Sequence, residues 1–288
     1  MKLAKSIIRI FNRTISVPKS LWEFIKYGGH TTVNISKLAH GEILKGKKIL
    51  VTGGSSGIGL SIALKCISEG ATVLITGRNE DKLERVFSQN YSDNLKTLVW
   101  DVSNIKIIKE NLKEAEKLLG GSIDVLVNNA GIINGKDFLN VNEDIWDSIY
   151  SVNSKGLYFV SQKLVKNWLK NNETKHKKII NISSQGAFVG ATYPYRMTKW
   201  DIAGLTQGLG KMLAPHGIIV NGIAPGIIAT EMQKKYLNQN DNIYCSLNPL
   251  KRFALPEEIA ELAAFLISDA SNFITGQTIV CDGGFTIS

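Results

Sequence analysis

Short apolar runs without charges alternate with longer segments of helical periodicity along most of the chain. The first run, residues 49–51, precedes a glycine-rich turn, after which Ile58, Ile62 and Cys66 recur at helical spacing. Runs of this kind are typical of strands that are buried on both faces of a parallel sheet. The pattern predicts a strand, a turn and a helix here, and the same alternation continues to the end of the sequence.

This alternation predicts seven strands with helices between them. The strands are expected at residues 49–51, 71–76, 95–100, 123–127, 178–182, 218–223 and 278–281. After the first helix, helices are expected from residue 79, over 105–119 with Ser103 as the cap, and over 143–170, 194–213 and 256–268. Strands that alternate with helices of this length predict an α/β fold, a doubly wound parallel sheet of the Rossmann type with helices on both faces.

Charge and composition separate the leading segment from the rest of the chain. Residues 1–48 hold ten Lys/Arg and two acids, a net charge of +8, whereas residues 49–288 carry a net charge of +1. We therefore expect no nucleic-acid binding by the body of the protein. No apolar run approaches the roughly 18 residues that a membrane span needs. The three scattered cysteines predict no disulfide framework, which is typical of a cytoplasmic protein.

We predict a basic, partly helical N-terminal extension over residues 1–45 and a single dinucleotide-binding catalytic domain over 46–288. The extension begins with a basic segment of helical character, which Pro18 ends. Two interpretations of its role remain open. The helix could lie on an anionic membrane surface, with peripheral contact through residues 1–27. Alternatively, it packs on the body or on a partner subunit, which is the interpretation that we favour.

The turn after the first strand carries three spaced glycines, Gly53, Gly57 and Gly59. Glycines let the backbone approach a phosphate closely, and the following helix N-terminus offers free N–H groups and a positive dipole end. The spacing is a variant of the dinucleotide-binding fingerprint. A nucleotide-triphosphate loop is excluded, because Leu60 occupies the position at which that motif needs lysine. A plain tight turn before a helix is the alternative explanation.

Tyr195 and Lys199 stand four residues apart at the start of a predicted helix, so their side chains share one face. A tyrosine hydroxyl has a pKa of about 10, but a nearby ammonium favours the phenolate and lowers that pKa toward the range useful in acid–base catalysis. Ser183 and Ser184, at the end of the fifth strand, can offer a hydroxyl to a substrate oxygen. A Tyr–Lys pair alone is often a chance feature of a helix surface, and its weight comes from the motifs that precede it.

Together these motifs resemble the short-chain dehydrogenase/reductase superfamily in its single-domain form, and especially its 3-oxoacyl-carrier-protein reductase-like branch. The matching segments are TGGSSGIG at 52–59, NNAG at 128–131, YRMTK at 195–199, PGIIAT at 225–230 and ITGQTIVCDGG at 274–284. The resemblance covers about residues 45–288. It implies an NAD(P)-dependent oxidoreductase that interconverts a ketone and a secondary alcohol through a Ser-Tyr-Lys site.

The resemblance also implies roles for individual residues. Tyr195 would be the general acid in carbonyl reduction, Lys199 would hold the nicotinamide ribose, and Asn153 would support a proton-relay water. Ser184 matches the catalytic serine, and Ser183 remains the alternative. The implied cofactor-binding residues are Gly53, Ser55, Ser56, Gly57, Ile58, Gly59, Arg78, Asp101, Val102, Asn129, Ala130, Gly131, Tyr195, Lys199, Pro225, Gly226, Ile228 and Thr230.

Several of these residues have a purely structural alternative. Asp101 would contact the adenine or cap a helix. Asn129 and Gly131 would contact the adenosine side or stabilise the central sheet. Thr230 would bind the nicotinamide carboxamide or cap a helix.

Arg78 decides the predicted cofactor preference. NAD specificity needs a carboxylate at the end of the second strand for the ribose 2′-hydroxyl, whereas the 2′-phosphate of NADP needs a cation. Here the strand ends in Gly77-Arg78, with no carboxylate in the turn, although Glu80 and Asp81 follow closely. The sequence therefore predicts a preference for NADP, with NAD as the alternative, unless Arg78 is only a solvated loop charge.

The sequence does not identify the small-molecule carbonyl or alcohol substrate. Residues 230–252 are predicted to form a lid, with Met232, Tyr236, Tyr244 and Leu247 as candidate walls. The four histidines have no ligand spacing, so no metal site is predicted.

The resemblance implies a homodimer or homotetramer, and small residues after Lys199 are suited to such a contact. Gly204, Gly208 and Gly210 give that helix a face suited to close packing against a second subunit, as in a homodimer or homotetramer, or else within one subunit. A rival function is a non-catalytic dinucleotide-binding sensor that docks to a membrane or a partner through the extension. The intact Ser-Tyr-Lys set argues against it.

Overall fold

The computed structural model describes residues 41–175, 177–229 and 243–287. Within these residues, seven strands form one sheet of entirely parallel pairs in the order β3-β2-β1-β4-β5-β6-β7. The strands are β1 (Lys48–Thr52), β2 (Thr72–Gly77), β3 (Leu95–Val99), β4 (Val125–Asn128), β5 (Lys178–Ile182), β6 (Ile219–Pro225) and β7 (Thr278–Cys281). The strand order reverses between β1 and β4, and ligands bind at such switch points in open parallel sheets.

Helices connect the strands and cover both faces of the sheet. They are α1 (Gly57–Ser68), α2 (Glu80–Gln89), α3 (Ile108–Leu118), α4 (Glu143–Tyr150), α5 (Leu157–Lys170), α6 (Pro194–Leu213) and α7 (Pro256–Ile267). A proline opens both α6 and α7, where its missing N–H costs no hydrogen bond. The predicted doubly wound Rossmann-type sheet is therefore confirmed.

Two apolar cores lie on opposite faces of the sheet. Ile49 and Val51 of β1 belong to the core with α1 and α7, whereas Leu50 belongs to the core with α3 and α5. Leu44, just before β1, is also fully buried in the first core. Burial on both faces explains why the strands appear in the sequence as short continuous apolar runs. No helix in the described part of the chain is both long and apolar enough to cross a bilayer.

One local prediction is wrong. Ser103 does not cap a helix: its hydroxyl donates to Asp101 Oδ1 at 2.7 Å, and Asn104 instead caps the short 3₁₀ turn Ile105–Ile107. The predicted helical stretch over 143–170 is confirmed, and its middle turn, Ser151–Gly156, is π-helical. Such π-turns are rare and occur frequently at functional sites.

The glycines of α6 differ in their surroundings. A Cβ added to Gly210 would lie 2.4 Å from the Cα of Gly276, so this glycine permits close packing within one subunit. Cβ atoms added to Gly204 and Gly208 would have no described atom within 4 Å. Internal packing therefore explains Gly210 only, and the predicted subunit contact through the other two glycines stays a prediction.

Candidate active site

A cleft of about 380 Å³ opens at the carboxyl ends of the parallel strands. Its lining comes from the segments after β1, β2, β3, β4, β5 and β6 and from the first turns of α6. The sequence-predicted residues that line it are Gly53, Ser55, Ser56, Gly57, Ile58, Arg78, Asp101, Val102, Asn129, Ala130, Gly131, Ser183, Ser184, Tyr195, Lys199, Pro225, Gly226 and Ile228. The fold thus brings together residues from nearly the whole length of the sheet-forming chain.

The glycine turn between β1 and α1 fits an anionic group. Gly53 and Gly57 have positive φ angles of 65° and 55°, a backbone region that side chains with a Cβ rarely adopt. Ser56 provides no side-chain cap to α1, and the first turn of α1 carries no acidic residue. The N–H groups and the positive dipole end of the helix therefore face the cleft without a carboxylate of their own, as a pyrophosphate site requires.

Gly59 supports this turn from behind and does not line the cleft. A Cβ at this position would lie 2.3 Å from Asn129 Nδ2 and 2.6 Å from the carbonyl oxygen of Gly53. Asn129 Nδ2 donates to the carbonyl oxygens of Thr52 and Gly53, at 3.1 and 2.8 Å. Asn129 therefore braces the glycine turn in addition to lining the cleft, and its contact with the adenosine side stays a prediction.

Arg78 and Asp101 lie at one end of the cleft, after β2 and β3. Arg78 is exposed and forms no hydrogen bond or ion pair with a described residue. Asp101 Oδ1 accepts hydrogen bonds from the backbone N–H and the hydroxyl of Ser103, at 2.9 and 2.7 Å. The carboxylate is therefore held in a local turn, whereas the guanidinium stays available to a ligand.

The two candidate serines have different surroundings. The hydroxyl of Ser183 donates to the backbone carbonyl of Lys199 at 2.8 Å, and this side chain is buried. The hydroxyl of Ser184 accepts the backbone N–H of Gly186 at 3.2 Å and interacts with the phenol of Tyr195. Ser183 thus anchors the helix that carries Lys199, and Ser184 is the serine whose hydroxyl is directed at the tyrosine.

Lys199 is buried without a charged partner. Its Nζ donates to the carbonyl oxygen of Ile182 at 2.9 Å and lies 5.5 Å from the ring centroid of Tyr195. No carboxylate in the described ranges forms an ion pair with it. Burial lowers the pKa of Lys199 to about 8, because an ammonium away from water is poorly solvated.

The pKa of Tyr195 is raised and not lowered, in contrast to the expectation from the sequence. Burial is the main cause, the interaction with Ser184 opposes it in part, and Tyr193 adds to the rise. Lys199 does not reverse the effect of burial. In the fold as described, the phenol of Tyr195 is therefore protonated at neutral pH.

Asn153 lies in the π-helical segment, fully buried, and does not line the cleft. Its Oδ1 accepts the backbone N–H of Ile132 at 2.8 Å, and its Nδ2 donates to the carbonyl oxygen of Ile132 at 3.0 Å. Nδ2 also donates to the hydroxyl of Thr198, which in turn donates to the carbonyl oxygen of Tyr195 at 2.7 Å. Asn153 thus joins the segment after β4 to the first turn of α6.

Comparisons with known proteins identify the family. A family model described as Enoyl-(Acyl carrier protein) reductase matches residues 53–286. Gluconate 5-dehydrogenase of Gluconobacter oxydans is 34% identical over 249 residues, which cover 85% of this chain and 96% of that protein. The 3-oxoacyl-(acyl-carrier-protein) reductase of Aquifex aeolicus is 36% identical over 246 residues, with 84% and 98% covered. The chain belongs to the short-chain dehydrogenase/reductase family.

The solved structures agree with this assignment. A crystal structure of actinorhodin polyketide ketoreductase with NADPH matches with a TM-score of 0.76 and 28% identity, covering 84% of this chain and 98% of that one. As a member of the short-chain dehydrogenase/reductase family, the protein is an NAD(P)-dependent oxidoreductase. The resemblance inferred from the motifs is confirmed.

Several residues of the family's cleft were not singled out from the sequence. These are Trp100, Ile132, Val152 and Ile182, which line the cleft beside the predicted residues. Each directly precedes or follows a residue or motif that the sequence did indicate, and this adjacency is the signal that could have found them. They were missed because apolar residues at strand ends resemble ordinary core residues.

Some predicted site residues lie outside the described residues or outside the cleft. Thr230, Met232 and Tyr236 belong to the first group, as does most of the predicted lid. Tyr244 and Leu247 are described, and neither lines the cleft. No group of three or more metal-binding side chains occurs among the residues that the structure describes.

Proposed function

We propose that the protein catalyses the NADP-dependent interconversion of a ketone and a secondary alcohol, with Ser184, Tyr195 and Lys199 at the reaction centre. The observation that carries this proposal is the convergence of these three side chains in one cleft with the glycine turn of α1. A dinucleotide would suit this cleft, because the cleft combines an open helix N-terminus with a lysine that pairs with no carboxylate of the described residues. Bound there, the nicotinamide supplies the hydride for reduction or accepts it in oxidation.

The glycine turn and Ser55 to Ile58 would hold the pyrophosphate, and Asp101 and Val102 would flank the adenine. Asn129, Ala130 and Gly131 would line the adenosine side. Pro225, Gly226 and Ile228 lie on the loop after β6, and Thr230 would complete the contacts of that loop. Lys199 would hold the nicotinamide ribose with the Nζ that now donates to the carbonyl of Ile182.

Tyr195 would donate the proton in carbonyl reduction and accept it in alcohol oxidation. The raised pKa of this phenol, caused mainly by burial, supports the donor role at neutral pH. Ser184 would orient the substrate oxygen with the hydroxyl that faces Tyr195. Asn153 would support the proton path to the lysine, because its bonds hold Ile132 and the first turn of α6 together.

The preference for NADP rests on Arg78. An exposed guanidinium without a partner in the described fold suits the 2′-phosphate, which accepts charge-assisted hydrogen bonds. The solved ketoreductase that this chain resembles was crystallised with NADPH, which points in the same direction. NAD remains the cofactor expected if Arg78 acts only as a loop charge.

The substrate would be a small carbonyl or alcohol compound. The relatives act, by their names, on gluconate and on 3-oxoacyl-(acyl-carrier-protein). We also propose that the chain divides into an extension (1–45) and a catalytic domain (46–288). We further propose that the protein is a cytoplasmic homodimer or homotetramer. Membrane contact through residues 1–27 lies outside the described residues.

NADPH oxidation by the parent and by Tyr195→Phe, measured against a panel of ketones, tests this function. Loss of the acid–base group should lower turnover by roughly 10²–10⁴-fold, while NADPH binding by fluorescence titration should stay within a few-fold. Tyr193→Phe is the matched control, since its ring lies parallel to that of Tyr195 at 6.5 Å and does not line the cleft.

Two results would contradict the proposal. Turnover by Tyr195→Phe close to that of the parent would remove this tyrosine from the chemistry. A parent that binds NADPH and turns over no ketone or alcohol in a broad panel would favour the non-catalytic sensor.

A further inference from the structure

The loop after β6 is held in place by a segment far along the sequence. Ile228 of this loop lines the cleft and is buried. Ala254 donates its N–H to the carbonyl of Ile227 at 3.0 Å, and its own carbonyl accepts the N–H of Ala229 at 2.8 Å. These two bonds form a parallel bridge between Ile228 and Ala254. The position of Ile228 in the cleft therefore depends on where Ala254 lies.

We call residues 252–255 the strap. The carboxylate of Glu258 holds the strap on both sides of Ala254. Glu258 Oε1 and Oε2 accept two hydrogen bonds from the guanidinium of Arg252, each at 2.7 Å. Glu258 Oε2 also accepts the backbone N–H of Leu255 at 2.9 Å. Because Arg252 precedes Ala254 and Leu255 follows it, the carboxylate holds the strap at two points.

The geometry of this ion pair makes it stronger than an ordinary surface pair. Two parallel N–H···O bonds between a guanidinium and a carboxylate are both directional and charge-assisted. The side chains of Arg252 and Glu258 are only 17% and 24% exposed, which limits screening by water. Glu258 also lies in the first turn of α7, where the helix dipole favours a negative charge.

The loop and the strap lie at the reactive end of the cleft. β6 pairs with β5, and Ser184 follows β5, so the loop after β6 neighbours the segment that carries the candidate serine. Arg78 lies beyond β1 and β2, on the other side of the strand-order reversal. A dinucleotide with its phosphates at the glycine turn and its adenosine toward Arg78 would place its nicotinamide half beside Ile228.

We propose that Glu258 and Arg252 are positioning residues for the nicotinamide half of the cofactor, acting through Ala254 on Ile228. This inference rests on the proposed function, because it assumes that a nicotinamide dinucleotide occupies the cleft. Neither residue lines the cleft, so neither touches the ligand directly. Their effect passes through the two backbone bonds of Ala254.

Two ligands separate positioning from a general loss of structure. NADPH contains both halves of the dinucleotide, whereas adenosine 2′,5′-bisphosphate is a fragment that contains the adenosine half alone. We expect Glu258→Gln to weaken NADPH binding about tenfold and to leave the affinity for the fragment within about twofold. Calorimetric titration of full-length protein measures both. Arg252→Lys keeps the charge and loses the two-point contact. It should also weaken the binding of NADPH more than that of the fragment, but by a smaller factor.

Glu261→Gln is the matched control on the same helix. Glu261 pairs with Lys65 of α1 at 3.0 Å. Loss of the Glu261 carboxylate should lower the stability of the protein and change the affinities for the two ligands by the same factor. If Glu258→Gln is too unstable to isolate, Arg252→Lys alone provides the test.

The outcomes separate this inference from the function on which it rests. Preferential loss of NADPH binding in the Glu258 or Arg252 variant supports positioning. An equal loss of affinity for both ligands, or no loss for either, overturns the positioning role. The proposed function still stands in that case, provided that the parent binds NADPH. A parent that binds neither ligand overturns both proposals.

Discussion

Replacing Arg78 with alanine tests the cofactor preference with little risk to the fold. The side chain lines the cleft after β2, is exposed and has no partner among the described residues, so its removal should leave the packing unchanged. A hydrogen bond to a charged group contributes about 1.5–3 kcal/mol, and solvent exposure favours the lower end of that range. We therefore expect NADPH to bind about 10- to 30-fold more weakly and NADH to bind within about twofold of the parent.

Fluorescence titration of the two reduced cofactors at low and high salt measures this effect. The loss for NADPH should shrink as salt rises, because ions screen exposed charges. Arg85→Ala is the control, since this exposed arginine of α2 does not line the cleft. Equal losses for both cofactors would show that Arg78 acts on the structure of the turn. A parent protein that prefers NADH would refute the NADP preference itself.

Two further predictions concern the support of the site. Gly59→Ala should destabilise the protein by about 1–3 kcal/mol and weaken NADPH binding, because the new Cβ would clash with the Asn129 amide. Denaturant unfolding measures the stability, and cofactor titration measures the binding. Gly135→Ala is the control, because a Cβ at Gly135 would lie in open space. For Lys199, the folded-state pKa of about 8 lies below the unfolded value of 10.5, so the unfolded state binds more protons between these values. The free energy of unfolding of the cofactor-free parent, relative to that of Lys199→Met, should thus rise by about 3 kcal/mol between pH 8 and 10.5. If the difference between the two proteins stays constant across that pH range, the pKa of Lys199 is not depressed.

The strands and the site could be predicted from the sequence because both depend on local patterns. Strands such as Lys178–Ile182 and Thr278–Cys281 have the predicted bounds, and the first of them is buried throughout, as its apolar run indicates. The ends of parallel strands meet at one edge, so motifs at those ends converge without any knowledge of the tertiary contacts. The shared face of Tyr195 and Lys199 follows in the same way from helical spacing.

The choice between Ser183 and Ser184 depends on a contact that the sequence does not contain. Consecutive residues of extended chain point to opposite sides, so one of the two serines faces the tyrosine and the other faces away. Which one does so is decided by the register of β5 against α6, where Ser183 bonds to the carbonyl of Lys199. The π-helical segment around Asn153 is equally non-local, because its bonds to Ile132 and Thr198 come from other parts of the chain.

Burial explains why the charge argument for Tyr195 gave the wrong direction. The sequence shows that an ammonium stands one helical turn from the phenol, and in water that pair would favour the phenolate. In the fold, both groups lose solvent: the pKa of Tyr195 rises and that of Lys199 falls to about 8, so each is shifted toward its neutral form. If Tyr195 is the acid that we propose, the described geometry keeps its proton in place at neutral pH. Reduction needs such a protonated group at the start, whereas oxidation needs the phenol to lose its proton first.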